Sequence, residues 1–375
     1  MNRSSLLTLG MGQCGNILAE SMKRYKNIYS TAYINSSYGD LTNLKFAMEG
    51  NTFIFNGADG SGSNRELANE FAENDEMRLM DFFKDFIHFK TILIYLGMGG
   101  GTGSGSFKKT VKTIKKVLPH IVINVVGIIP SKKEGSKQLI NAIQCFEDVL
   151  SLYNDGYLND IKFAYNGKRK NILDINKEIV TMIDKEYTMT NHTIKFGSID
   201  SSDLLNITAA KGYGMILELP DRDLLFDEAL RSARDKSVFI LPDEMICTYG
   251  GANVTDRYDL KEITDSVIAK DTFYTTLNKS NKNEDPKSTE INLIALGGCA
   301  IPTGIFRELE KELEDREKNS ISINQKVTFK SKYSSTNTGS DSEEKVKTVQ
   351  KPIISRKSVI EELDDSAFNF DFDLD

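Results

Sequence analysis

Through the first half of the chain, short unbroken apolar runs alternate with longer stretches whose apolar residues recur at helical spacing. The runs at 6–9, 31–35, 52–56, 91–96 and 121–129 predict strands. Thr91-Ile-Leu-Ile-Tyr-Leu96 lacks polar alternation, as a strand covered on both faces should. Helical spacing fills 17–25, 64–88 (Leu67, Phe71, Met77, Met80, Phe83, Ile87), 106–118 and 136–152. Strands alternating with helices predict parallel βαβ units in a doubly wound, Rossmann-type α/β sheet. Ligands of such sheets lie beyond the carboxyl ends of the strands. The glycine-rich segments GMGQCGN, GADGSGSN and GMGGGTGSGS all fall there.

The pattern changes in the second half. Residues 170–190 predict a long helix with few breakers, leading into Gly197-Ser-Ile-Asp-Ser-Ser-Asp203. The segments 212–219, 237–241, 244–249 and 291–296 predict strands, with a helix at 223–235, and so a second, smaller α/β domain. Residues 279–289 are polar, contain Pro286 and predict a surface loop. Residues 303–318 predict a helix with interleaved Glu and Lys or Arg. Beyond about 330 periodicity is lost. Such a composition buries too little surface to offset chain entropy, which predicts a disordered tail. Its end, EELDDSAFNFDFDLD, alternates acids with Phe and Leu, a pattern suited to folding on a partner.

Composition narrows the chemistry. With 375 residues, 39% of them hydrophobic, the chain supports a sizeable core and about two domains with residues to spare. A net charge of −7 argues against wholesale nonspecific DNA binding, which needs a basic face; a local basic patch or a DNA-binding partner stays open. The three histidines, His88, His120 and His192, have no ligand spacing, so a His-based metal site or Ser-His relay is a poor reading. The four cysteines are dispersed without a CxxC, as reduced cytosolic thiols are. No apolar run suits a signal peptide or a membrane span, so a soluble, cytoplasmic protein without a membrane partner is expected.

Six of the nine residues 97–105 are glycine. Such density weakens a helix or strand, but it suits backbone that approaches a phosphate and aims N–H groups at it. The helix behind would add its positive end, and Thr102 and Ser104 their hydroxyls. A flexible linker would not sit between a buried strand and an amphipathic helix. The loop lacks the Lys of GxxxxGK[ST], since Lys108 comes too late. GMGQCG loosely fits the dinucleotide fingerprint, yet the second strand ends in Asn35-Ser-Ser rather than an acid. A monomeric Rossmann-type nucleotide-binding enzyme is therefore the alternative.

GGGTGSG resembles the signature of the tubulin/FtsZ superfamily of GTP-dependent filament proteins, and the likeness runs in order through most of the first 300 residues. It implies nucleotide contacts from Gly12, Gln13, Cys14 and Asn16 in GMGQCGN, and from Asn35 in NSSYGDL, where Ser37 replaces a frequent Asp. It implies a γ-phosphate-sensing loop at Gly57, Ala58 and Asp59, and signature contacts from Gly99, Gly100, Gly101, Thr102, Gly103 and Ser104. The segment PSKKEGSK at 130–137 matches P-x-x-x-E-G-x-K, which implies Glu134 on the ribose hydroxyls; Gln138 stands where Arg is frequent. Asn166 in YNGK is similar to the guanine-reading Asn of PNDK, its amide offering both donor and acceptor. Asn176 is a weaker match for a second base contact, with Ile172 where an aromatic usually stacks.

Ile199-Asp-Ser-Ser-Asp-Leu204 resembles the family's V-D-F-A-D-V loop, which implies Asp200 and Asp203 as the catalytic acids. On the residues alone a helix N-cap is the preferred reading; placed after the long central helix and together with GGGTGSG, the catalytic reading prevails. The resemblance implies a site split between copies: one cradles GTP with Mg²⁺, and the next presents the two acids to the attacking water. Head-to-tail contacts of that kind build a filament, and hydrolysis to GDP weakens it. The implied layout is a GTP-binding domain at 1–168, a central helix at 169–196, an activation domain at 197–302, a charged helix and extension at 303–330, and a tail at 331–375. GMGQCGN, and ALGGCAIP before a charged helix, are more similar to the plasmid- and phage-borne bacterial tubulins of the TubZ type. That likeness implies segregation of plasmid or phage DNA, with the tail engaging a DNA-binding adaptor of the TubR type and DNA contacted only indirectly. An FtsZ-like division or phage-spindle tubulin is the second expectation, and a purely solubilising tail stands beside the adaptor reading.

Overall fold

A computed structural model describes residues 5–168, 171–190, 194–220, 224–278 and 292–320. The first part alternates as its pattern predicts: β1 (Leu6–Met11), α1 (Gly12–Tyr25), β2 (Ser30–Asn35), α2 (Tyr38–Thr42), β3 (Thr52–Ile54), α3 (Arg65–Asn74), α4 (Glu76–Lys84), β4 (Thr91–Gly97), α5 (Thr102–Val117), β5 (Val122–Ile129), α6 (Ser136–Asn154) and β6 (Asp160–Tyr165). There follow α7 (Ile172–Thr188), β7 (Ile194–Gly197), α8 (Ser201–Thr208), β8 (Gly212–Glu218), α9 (Phe226–Lys236), β9 (Ile246–Thr255), α10 (Leu260–Ser266), β10 (Ile268–Asn278), β11 (Leu293–Cys299) and α11 (Gly304–Ser320).

The described strands form one sheet in the order β3-β2-β1-β4-β5-β6-β8-β11-β9-β10-β7. From β3 to β8 every pair is parallel; β11 then runs antiparallel to both β8 and β9. Alternate residues of β4 feed the two faces. Ile92, Ile94 and Leu96 join a core with Phe83, Phe107 and Leu139 from α4, α5 and α6. Leu93 and Tyr95 join Leu18 and Met22 of α1 and Ile175, Ile179 and Ile183 of α7 on the other face.

The described chain through Arg316 packs as one unit, with Glu317 onward set off as a second, of which only the end of α11 is described. The expected 1–168 and 197–302 thus share one sheet. They meet where β6 and β8 pair through only Asp160–Gly212 and Ile161–Tyr213. At this seam Lys162 is buried between the carboxylates of Asp160 and Glu186, the latter 3.1 Å away. Burial raises the Glu186 carboxyl to about 7, Asp160's charge adding to it and Lys162 opposing it. A Cβ on Gly214 would overlap the Asp160 carboxylate, so glycine leaves room for the cluster.

Several expectations change. The helical stretch 64–88 breaks at Asp75, whose carboxylate accepts the Asn56 N–H at 2.6 Å and pairs with Arg78 at 2.8 Å. The helix expected at 106–118 begins earlier, at Thr102, inside the glycine run. Residues 237–241 make a single antiparallel bridge, Ala164–Phe239, rather than a strand. β6 and β10 were not anticipated: buried Asp160 and Lys162 interrupt the first, and partly exposed polar residues the second. The expected loop at 279–289 and the tail at 331–375 lie outside the described residues. No helix among the described residues is long and apolar enough to cross a membrane.

Candidate functional site

Helices α1 and α5 start at the carboxyl ends of the neighbouring strands β1 and β4, each without a side-chain cap or an acid in its first turn. Their leading N–H groups have no intrahelical acceptor, and their positive ends favour an anion. Both open on a cleft of about 360 Å³. The two loops touch there. A Cβ on Gly12, which has φ +67°, would stand 2.7 Å from the Gly103 nitrogen, and one on Gly103 would stand 2.5 Å from the Met11 carbonyl oxygen. Glycine is needed where backbone meets backbone, and this explains why a helix tolerates Gly103 in its first turn.

Hydroxyls and amides join the loops. Thr102 Oγ1 lies 2.5 Å from Ser36 Oγ and 3.0 Å from Ser61 Oγ. The Gly60 N–H donates to the Ser36 carbonyl at 2.8 Å. Asn35 donates to Asp40 at 3.1 Å and accepts the Ser36 N–H at 2.8 Å. Among the described residues, Asp40 is the one charged residue lining the cleft. From α6, the Asn141 amide donates to the carbonyls of Ser63, Gly99 and Gly100 at 3.1, 3.1 and 3.2 Å. Ser63 is held at φ +59°, a conformation non-glycine residues rarely adopt.

Of the residues expected to hold a nucleotide, Gly12, Gln13, Cys14, Asn35, Gly100, Gly101, Thr102 and Gly103 line the cleft. Asn16 is buried behind it, donating to the Ile34 carbonyl at 3.3 Å. Gly99 packs against Pro130, and the Ser104 hydroxyl donates back to the Gly100 carbonyl. Gly57, Ala58 and Asp59 sit on the turn before the lining residues Gly60, Ser61, Gly62 and Ser63, and do not line the cleft themselves. Ser36 and Asp40 belong to NSSYGDL and Ser61 to GADGSGSN, and all three line the cleft beside the expected contacts. Asn141 was missed entirely.

The Glu134 carboxylate accepts the Ser131 N–H at 2.7 Å. Burial, with a contribution from the Glu134 charge, pushes the Cys14 thiol up to about 12, so it is no nucleophile. The loop carrying Glu134 is braced by α11: Arg316 donates to the carbonyls of Glu134 (2.7 Å) and Lys132, and Phe306 stacks on Phe146 with centroids 3.8 Å apart. A cation therefore reaches this loop from α11 rather than from position 138. Asn166 follows β6 directly; its N–H donates to the Ile129 carbonyl at 3.0 Å, while its side-chain oxygen is buried without a hydrogen-bond partner among the described residues. Asn176 is buried on α7.

Asp200 and Asp203 do not line this cleft. They form the capping box of α8: Asp200 accepts the N–H groups of Ser202 (2.7 Å) and Asp203 (2.9 Å), and Asp203 accepts the Asp200 N–H at 3.1 Å. Asp200 is exposed, and the Ser202 hydroxyl with the two N–H donors holds its carboxyl below its ordinary value. The cap fixes both carboxylates at the surface. Among the described residues no group of three or more His, Cys, Asp or Glu is placed to hold a metal ion.

Residues 5–155 match the Tubulin/FtsZ family, GTPase domain. The tubulin-like protein TubZ of Clostridium botulinum C phage is 26% identical over 262 residues, spanning 70% of this chain and 72% of that protein. The tubulin-like protein CetZ of Methanothrix thermoacetophila is 28% identical over 171 residues, 41% of this chain and 46% of its own length. The crystal structure of Clostridium botulinum phage c-st TubZ superposes with a TM-score of 0.73 at 22% identity, covering 85% of this chain and 99% of that one. A GTPγS-form protofilament of Bacillus thuringiensis serovar israelensis TubZ gives 0.71 at 14% identity, covering 85% and 93%. At these identities the structural likeness speaks for the fold.

Proposed function

We propose, for a chain that carries a GTPase domain of the tubulin/FtsZ family, that it is a self-assembling GTP-hydrolysing filament protein that segregates plasmid or phage DNA. The observation that carries this reading is the meeting of two uncapped helix N-termini at one glycine-lined cleft, with the two candidate acids fixed outside it. The phosphates of GTP or GDP take the first-turn amides of α1 and α5 and the Thr102 hydroxyl. Glu134 holds the ribose. Asn166, whose side-chain oxygen has no hydrogen-bond partner among the described residues, reads the guanine edge, with Asn176 as a second contact. Gly57, Ala58 and Asp59 place the loop nearest the terminal phosphate. The donors suit Mg²⁺: Asp40 and the hydroxyls of Ser36 and Thr102 are hard oxygen ligands, and a magnesium ion takes few of these beside phosphate and water. Bound there, it would neutralise phosphate charge.

Asp200 and Asp203 lie outside their own chain's cleft, so they serve the cleft of the next copy. Their hydrogen-bonded carboxylates orient and polarise the attacking water. We assign 1–168 to GTP binding, 169–196 to the central helix, 197–302 to activation, 303–330 to the charged helix and its extension, and 331–375 to a tail that engages a DNA-binding adaptor of the TubR type. Self-assembly is supported by the protofilaments that B. thuringiensis TubZ forms with GTPγS and with GDP.

The test is pelleting with GTP, GDP and a slowly hydrolysed GTP analogue, for wild type and Asp200→Asn. Asparagine caps a helix as well as aspartate, so α8 stays formed while the charge is lost. Wild type should pellet with GTP and the analogue. The variant should bind GTP and pellet, yet hydrolyse at least about tenfold more slowly, as removal of a stabilising group does. A wild type that pellets with no guanine nucleotide would refute the proposal.

A further inference from the structure

At the amino ends of β4 and β5, the turns that enter these strands and helix α8 enclose a hollow of about 480 Å³. Ile87, Val117, Pro119, His120 and Leu205 line it, and Ile87 is 74% exposed. Contiguous apolar surface left open in this way marks a contact site. Three features indicate what covers it. The hollow is continuous with α8, one turn beyond the capping box of Asp200 and Asp203, because Leu205 belongs to both. It also lies at the opposite end of β4 from the nucleotide cleft. The seven residues of that strand span about 23 Å at roughly 3.3 Å each, so a copy displaced along the strand direction sets one copy's cleft against the other's hollow. Finally, the cleft rim carries its own exposed aromatic: Tyr38 is 69% exposed, directly after the lining residue Ser37.

We infer that Tyr38 of one copy seats in this hollow of the next copy along the filament, beside that copy's Asp200 and Asp203. The inference rests on the head-to-tail reading above. An aromatic ring with a polar tip suits an apolar floor edged by His120 and Lys90, and buried tyrosines are frequent anchors of protein contacts. The contact would couple assembly to catalysis, because seating the ring and presenting the acids use the same face.

The test compares Ile87→Asp, Tyr38→Asp and Tyr38→Phe. Ile87 is exposed and far from its own cleft, so I87D should fold and bind GTP as wild type does. Sedimentable polymer should need at least about tenfold more protein for I87D and for Y38D, the loss expected of an anchor, while Y38F stays near wild type. An equal mixture of I87D and Y38D tests direction. The first keeps an intact rim and the second an intact hollow, so with the slowly hydrolysed analogue the mixture should give dimers by sedimentation velocity and no filaments. I87D pelleting at the wild-type concentration, or the mixture giving filaments or only monomers, overturns the seat; if wild type still pellets and D200N still hydrolyses slowly, the head-to-tail reading survives it. Failure of wild type to pellet with any guanine nucleotide removes both.

Discussion

Asn141 shows what a residue can do without touching a ligand. Its amide ties three carbonyls, those of Ser63, Gly99 and Gly100, into one surface. Without it those carbonyls lose a buried donor and two loops of the cleft lose their common anchor. At about 1–3 kcal/mol for an unsatisfied buried group, Asn141→Ala should weaken GTP binding by roughly 5- to 150-fold, measured by titration with a fluorescent GTP analogue. The far-ultraviolet circular dichroism should be unchanged. This residue was illegible in the sequence, since its partners lie 41 to 78 positions away and an asparagine on an amphipathic helix reads as surface. Gly12 and Gly103 were legible because the glycine itself marks the place: no side chain fits where the two backbones meet, so the requirement is written at the position even though its cause lies in the other loop.

At the scale of elements, the apolar strands β1, β4 and β5 were legible, whereas the apolar run 237–241 makes only a bridge and β6, with its buried charge, did not show. β6 holds Asp160 and Lys162 inside the sheet, where a charge cluster with Glu186 replaces apolar packing. Lys162→Met leaves two buried carboxylates without their cation and should destabilise the fold by about 3–5 kcal/mol in urea unfolding. The cluster also sets a pH dependence. The folded Glu186 carboxyl keeps its proton up to about 7, against an ordinary 4.5, so between these values the folded chain binds more protons than the unfolded one. That contribution is complete below about 4.5 and is lost as pH rises through 7, at no more than about 1.4 kcal/mol per pH unit. Glu186→Gln should flatten this slope. A stability that rises between pH 5 and 7 in wild type, by an amount the variant abolishes, would contradict the assignment. The early start of α5 has the opposite cause to β6: close packing of the loops overrides the low helix propensity of glycine.

At the scale of the molecule, the layout separates a cleft at one end of the sheet from acids and an apolar hollow at the other. The order of glycine loops carried this in the sequence; the joining of both halves into one sheet did not show, because the seam is two residue pairs. Removing residues 331–375 should leave GTP-dependent pelleting intact and abolish retention of a plasmid carrying the gene, scored by colony counts without selection. The central claim is that each copy lacks a complete site and gains it from its neighbour. Turnover of GTP per subunit, followed across protein concentration, tests this most directly. It should be close to zero while sedimentation finds only monomers, and rise steeply at the concentration where polymer first pellets. Turnover per subunit that stays constant down into the monomeric range would contradict it.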